Sequence, residues 1–226
     1  AFSGCSSLAY IKVPSTVKII SVGAFRECSN LLEAELCEGL EDIGEMAFFE
    51  CSSLNSIKVP STVKVIGSDA FGGCKQLAKL ELREGLEEIQ ARAFWEAGLA
   101  VIKIPSTVKK IGEGAFAECV QLVEVELFEG IEQIGEQAFY GCKSLKRFKV
   151  PSTVKEIGMY AFHGCEQLEE VELCEGQEII EAHAFQGCKA LKIIKVPSTV
   201  KLIGNEAFRD CNQLVEVQLC EGLEQI

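Results

Sequence analysis

The chain has 226 residues, with 34 acidic side chains against 22 basic ones and a formal net charge of −12. That balance disfavours partnership with nucleic acid or an anionic membrane surface. Hydrophobic residues make up 48%, which excludes a disordered chain, and no apolar run approaches the ~18 residues of a membrane span.

An internal repeat organises the sequence. The dipeptide Ala-Phe opens a unit at Ala1, Ala24, Ala47, Ala70, Ala93, Ala115, Ala138, Ala161, Ala184 and Ala207, every 23 residues except for the 22 between Ala93 and Ala115. With each Ala as position 1, the ten units share A-F-x-x-C-x-x-L-x-x-I-x-V, then a turn, Val or Leu at 17, Ile at 20 and usually Gly at 21.

Within a unit the predicted elements run as follows. Ala138 to Cys142 reads as a short helical or 3₁₀ turn. Phe148 and Val150 obey a period of two, which predicts a short strand. Pro151-Ser152 reads as a corner. Val154-Lys155-Glu156-Ile157 reads as a second strand, ended by Gly158. A unit of this size buries no core alone, but stacked neighbours bury one together, with strands ~4.8 Å apart. The expected fold is therefore mainly β with short helical or 3₁₀ turns, one solenoid of ten stacked units over residues 1–226.

Successive units alternate. Odd ones carry Pro-Ser-Thr-Val-Lys at the corner and even ones a turn of the type Glu38-Gly39-Leu40-Glu41, so the larger period is 46 residues. Position 12 reads Lys58, Glu81, Lys103, Glu126, Lys149, Glu172, Lys195 along successive units, and position 18 alternates in the same way. Stacking places opposite charges next to each other in both columns, whereas a slip of one unit places like over like. These exposed ladders are weak glue and act mainly on register. Glu38, Glu84, Glu129, Glu175 and Glu221 at position 15 form an acidic margin, read as a solvated face with a basic partner as the other reading.

Nine of the twelve Cys occupy position 5, and the fifth unit has Ala97 there, which points to a buried column of reduced thiols. Cys37, Cys174 and Cys220 at position 14 are the expected exposed thiols. No short Cys pairing suits zinc, and His163 and His183, the only histidines, lack a ligand motif; both are expected at the solvent-facing unit edge. No metal and no cofactor is expected. Two departures stand out. The unit 93–114 lacks one residue, which predicts a local kink. Gln177 replaces the apolar residue of position 17, and its side chain is expected to tilt outward.

Variation amid strict repetition marks candidate partner-binding positions. Position 3 carries Phe49, Trp95, Tyr140 and His163, with Tyr160 close by in register. Position 10, on the strand's outward face, carries Tyr10, Val101, Arg147 and Ile193. No nucleophile elbow, zinc-protease motif, phosphate loop or dinucleotide fingerprint occurs, so no enzyme is expected.

The run Leu145-x-x-Phe148-x-Val150-Pro151-Ser152-Thr153-Val154-x-x-Ile157-Gly158-x-x-Ala161-Phe162-x-Gly164-Cys165 resembles the leucine-rich repeats of BspA-like surface proteins, and the likeness recurs through all ten units. The resemblance implies a right-handed, β-rich leucine-rich-repeat solenoid at a cell surface, engaged in adhesion or protein binding, with no shared binding-residue motif to carry over. An unidentified protein partner is therefore expected, with no nucleic acid and no membrane insertion of this segment. The rival expectation is a structural scaffold solenoid. Free thiols favour a reducing compartment for it. Neither end has a polar cap, which suggests a fragment of a longer protein, or one whose caps are missing, with self-association through the bare ends as one partner reading.

Overall fold

The computed structural model describes residues 1–226. Each unit forms one coil, and consecutive coils stack in parallel register. Between the seventh and eighth units Arg147 faces Glu170, Phe148 faces Val171 and Lys149 faces Glu172. Alternation along the strand sends Phe148 inward and its two neighbours to solvent. The second strands, two residues each, form one nine-stranded parallel sheet from Ile19–Ile20 to Leu202–Ile203. The tenth unit extends it only by an isolated bridge between Leu202 and Gln225. The architecture is the expected mainly β, stacked-unit solenoid.

A cluster of 62 buried residues runs from Val13 to Cys211. In the seventh unit its members are Ala138, Phe139, Cys142, Leu145, Phe148, Val150, Val154 and Ile157, the repeated apolar positions of the sequence. The position-2 phenylalanines stack from Phe2 to Phe208 with ring centroids 5.1 to 5.5 Å apart. All twelve thiols are free, and eight are buried. Each buried thiol donates to the position-2 carbonyl of the preceding coil, as Cys142 does to Phe116 and Cys165 to Phe139, both at 3.2 Å. Burial pushes the thiols of Cys51 and Cys119 up to about 12. Cys5 is exposed, while Cys37, Cys174 and Cys220 are half-buried.

The segment around Ala-Phe forms turns and no helix. Amides alternate in direction: Gln137, Phe139 and Gly141 donate to the next coil, whereas Ala138, Tyr140 and Cys142 donate three residues back. Left-handed residues at Gln137 (φ 56°) and Gly141 (φ 67°) produce this alternation. A helix keeps its amides within one segment; here half of them bind coil to coil.

In the short unit, the first-strand sheet is interrupted between Lys79–Glu81 and Val101–Lys103, while the second sheet continues past it. Gly98 closes the shortened turn against the coil beneath. A Cβ on it would lie 2.1 Å from the Lys75 carbonyl oxygen, so only glycine fits.

Gln177 corrects the expectation of an outward tilt: its side chain is fully buried. Its amide nitrogen donates to the carbonyls of Pro151 (2.8 Å) and Val154 (3.1 Å), and its oxygen accepts from the Cys174 amide (2.6 Å). Three partners make burial tolerable. Gln177→Ala is expected to cost about 2–4 kcal/mol through lost hydrogen bonds and a cavity, whereas Gln177→Leu, the usual residue type of this position, stays within about 1 kcal/mol. Urea denaturation of both variants checks this, and equal losses would contradict it.

Candidate functional site: the strand face and the turn edge

Any binding surface rests on coils held in register, and two kinds of lock hold them. The first four odd units are each tied to the following even unit by ion pairs. In column 12 these are Lys12–Glu35 (2.5 Å), Lys58–Glu81 (3.3 Å), Lys103–Glu126 (3.1 Å) and Lys149–Glu172 (2.6 Å). In column 18, Lys18–Glu41 (2.9 Å), Lys64–Glu87 (3.1 Å) and Lys155–Glu178 (4.0 Å) follow the same rule. Neither column has an ion pair across an even-to-odd step. Lys195 faces Gln218 and has no acid there. Three of the four even-to-odd steps also lack first-strand pairing, whereas all five odd-to-even steps have it.

The even-to-odd step is locked at the corner instead. Glu129 accepts from the Ser152 amide (3.3 Å) and hydroxyl (2.9 Å). Gly130 donates to Thr153 Oγ1 (3.1 Å), which itself donates to the Ile131 carbonyl (2.6 Å). The pattern recurs with Glu38 on Ser61, Glu84 on Ser106 and Glu175 on Ser198. Hydrogen bonds from Ser152, chiefly its hydroxyl, hold the Glu129 carboxyl below the usual range. Four of the acids read as a solvated margin are therefore caps between coils, and the 46-residue alternation is a doublet with a different lock on each side.

Lys149→Glu replaces the hydrogen-bonded Lys149–Glu172 pair with repulsion. It is expected to lower the midpoint of thermal unfolding by about 2–4 °C at low salt, a loss that shrinks by more than half near 1 M salt. A variant with unchanged low-salt stability would contradict the lock.

On the strand face, a shallow groove of about 590 Å³ runs across the second to fifth units, floored by Ala34, Ile57 and Leu80 and flanked by Lys58, Glu81 and Val101. Tyr10, Val101 and Ile193 are each about half exposed. They sit four units apart, ~19 Å at each step, so the stack does not gather them into one patch. The Tyr10 hydroxyl donates to Glu35 (2.7 Å), and that hydrogen bond raises its pKa above the ordinary phenol value. Arg147 pairs with Glu170 at 3.4 Å.

The turn edge brings the remaining candidates together. Phe49, Trp95, Tyr140 and His163 share one column, each half-buried. Tyr140 stacks on His163 with centroids 4.9 Å apart, Tyr160 meets His163 edge-on at 5.6 Å, and Tyr160 stacks on His183 at 4.6 Å. Both histidines therefore lie on the unit edge, wedged against tyrosines. Burial lowers the His163 pKa below the ordinary imidazole value. Sequence reasoning missed what surrounds these rings: Gln186 on His183 Nδ1 (2.9 Å), Glu206 at 3.5 Å from the same nitrogen, and Arg26 over Phe49. Their shared or neighbouring columns were the available signal. No group of three or more His, Cys, Asp or Glu converges on a metal position. No helix is long and apolar enough to cross a membrane.

The stacked coils around one continuous core define a repeat solenoid. The family model for the BspA type leucine rich repeat region matches residues 1–123 and 109–226, so the chain belongs to that family. No curated protein matches the chain. Among solved structures, a leucine-rich repeat protein of Bacteroides ovatus is similar at 25% identity and TM-score 0.59, covering 100% of this chain and 76% of its own. A leucine rich cell surface protein of Faecalibacterium prausnitzii is similar at 26% identity and TM-score 0.55, over 97% of this chain and 75% of that one. The leucine-rich repeat protein of T. pallidum reaches 30% identity and TM-score 0.66, over 81% and 78%.

Proposed function

We propose that the chain is a non-enzymatic protein-binding and adhesion solenoid, a segment of a longer surface protein. One observation carries the reading. Core positions repeat from unit to unit and corner positions from doublet to doublet, while position 10 of the strand face and position 3 of the turn edge change at each step; position 10 stays wholly or partly accessible throughout, and position 3 does so except at the buried Gly72 and Ala117. A rigid scaffold with variable side chains along one line is how a solenoid builds a specific surface. The cell-surface description of the similar Faecalibacterium prausnitzii protein supports the setting. The binding residues on this reading are Tyr10, Val101, Arg147 and Ile193 on the strand face, and Phe49, Trp95, Tyr140, Tyr160 and His163 on the edge.

The test is capture of surface-exposed proteins by the immobilised chain, followed by alanine variants of those two groups. Loss of a captured partner on changing one group supports the reading and tells which surface binds. Capture that survives every variant removes these residues. A scaffold role is the second reading, favoured by twelve free thiols, which suit a reducing compartment. Thiols found oxidised in protein isolated from its source would count against it.

A further inference from the structure

The turn edge contains its own example of a held cation. The Arg26 guanidinium lies 5.7 Å over the Phe49 ring, and its Nη2 is 2.8 Å from Glu27. Arg26 and Phe49 occupy position 3 of consecutive units. Two units further on, position 3 holds Trp95, but the unit before it offers Gly72 where Arg26 would stand. The chain supplies no guanidinium to this ring.

A shallow depression of about 720 Å³ opens there instead, lined among others by Glu27, Glu50, Gly73, Lys75, Trp95 and Glu96. Gly73 carries no side chain into it: a Cβ there would lie 3.1 Å from Glu50 Cγ, so the glycine makes room for the Glu50 stem. The charges around it are largely committed. Glu27 is taken by Arg26, and Lys75 is held by Glu96 at 3.0 Å. Glu50 has no ion-pair partner. A half-exposed indole and a carboxylate without an ion-pair partner thus line the same negatively charged recess.

We propose that this recess binds an arginine side chain from a basic segment of a partner protein, the guanidinium stacking on Trp95 and pairing with Glu50. The inference rests on the protein-binding reading above and adds the chemistry of the partner. Tryptophan is the strongest cation–π acceptor among the side chains. Arginine suits the site better than lysine because a planar fork stacks and pairs at once.

Trp95 is the only tryptophan, so its emission reports directly on the recess. The full chain is titrated with the pentapeptide Gly-Arg-Gly-Arg-Gly and its lysine and glutamate counterparts. A saturable emission change is expected with arginine, about fivefold weaker binding with lysine, and no response with glutamate. Glu50→Gln, checked for an unchanged circular dichroism spectrum, is expected to weaken arginine binding about three- to tenfold, and calorimetry of Trp95→Phe to show a comparable loss. A flat titration, an equal response to glutamate, or full affinity in Glu50→Gln would overturn the assignment. Partner capture that depends on the strand face but not on Trp95 or Glu50 would overturn it too, while leaving the protein-binding reading standing.

Discussion

Phe139→Ala is expected to destabilise the chain by about 3–5 kcal/mol. The ring is fully buried. It stacks between Phe116 (5.4 Å) and Phe162 (5.5 Å) and meets the edge of Phe148 at 4.9 Å. Truncation leaves a gap in the middle of the column, bounded by rings fixed to their own coils, so the site cannot collapse to fill it. A solenoid has only nearest-neighbour contacts between units. The gap therefore weakens the joint between the sixth and eighth units, and urea unfolding is expected to split from one transition towards two. A loss below about 1 kcal/mol with a single sharp transition would mean that the column is not the core.

Gly176→Ala is expected to cost about 3 kcal/mol or more, a fall of roughly 6–12 °C in the midpoint of thermal unfolding. Gly176 has φ +125°, a conformation that side chains rarely adopt, and an added Cβ would lie 2.2 Å from the Ser152 carbonyl oxygen. The same corner holds the Glu175 caps on Ser198 and Thr199, so displacing it disturbs the next coil as well. Gly164→Ala is the control. Its φ is also positive, at +72°, but nearest atoms stand 3.9 Å from the added Cβ. It is expected to lose only about 1 kcal/mol, and equal losses in both variants would contradict a steric origin.

Positions with one environment in every unit were legible in the sequence. Ala138, Phe139, Cys142, Leu145 and Ile157 recur at fixed spacing because each packs against its own equivalent above and below. The strands around Phe148 and Ile157 follow from that spacing. Features that depend on the neighbouring coil were less legible. Gln177 looked misplaced because its partners, the Pro151 and Val154 carbonyls, belong to the coil before it. The turn was read as helical because its left-handed positions are often filled by Gln137, Glu50 or Tyr160 rather than by glycine. The charge alternation was visible, but its segmentation into doublets required knowing that Glu129 reaches Ser152 across the coil boundary. For the candidate surfaces, variation alone picked out Trp95 and Val101. The recess beside Trp95 escaped because its lining comes from four consecutive units, with Glu27, Glu50, Gly73 and Trp95 each from a different coil.

The most direct measurement of the central claim is a set of distances between spin labels placed pairwise at the exposed column Lys18, Lys64, Lys109, Lys155 and Lys201. Stacked coils place neighbouring members of this set two rungs apart, so separations should rise in near-equal steps of about 10 Å, to about 38 Å between the first and last. Distances that level off or scatter with increasing sequence separation would contradict a stack of coils in register.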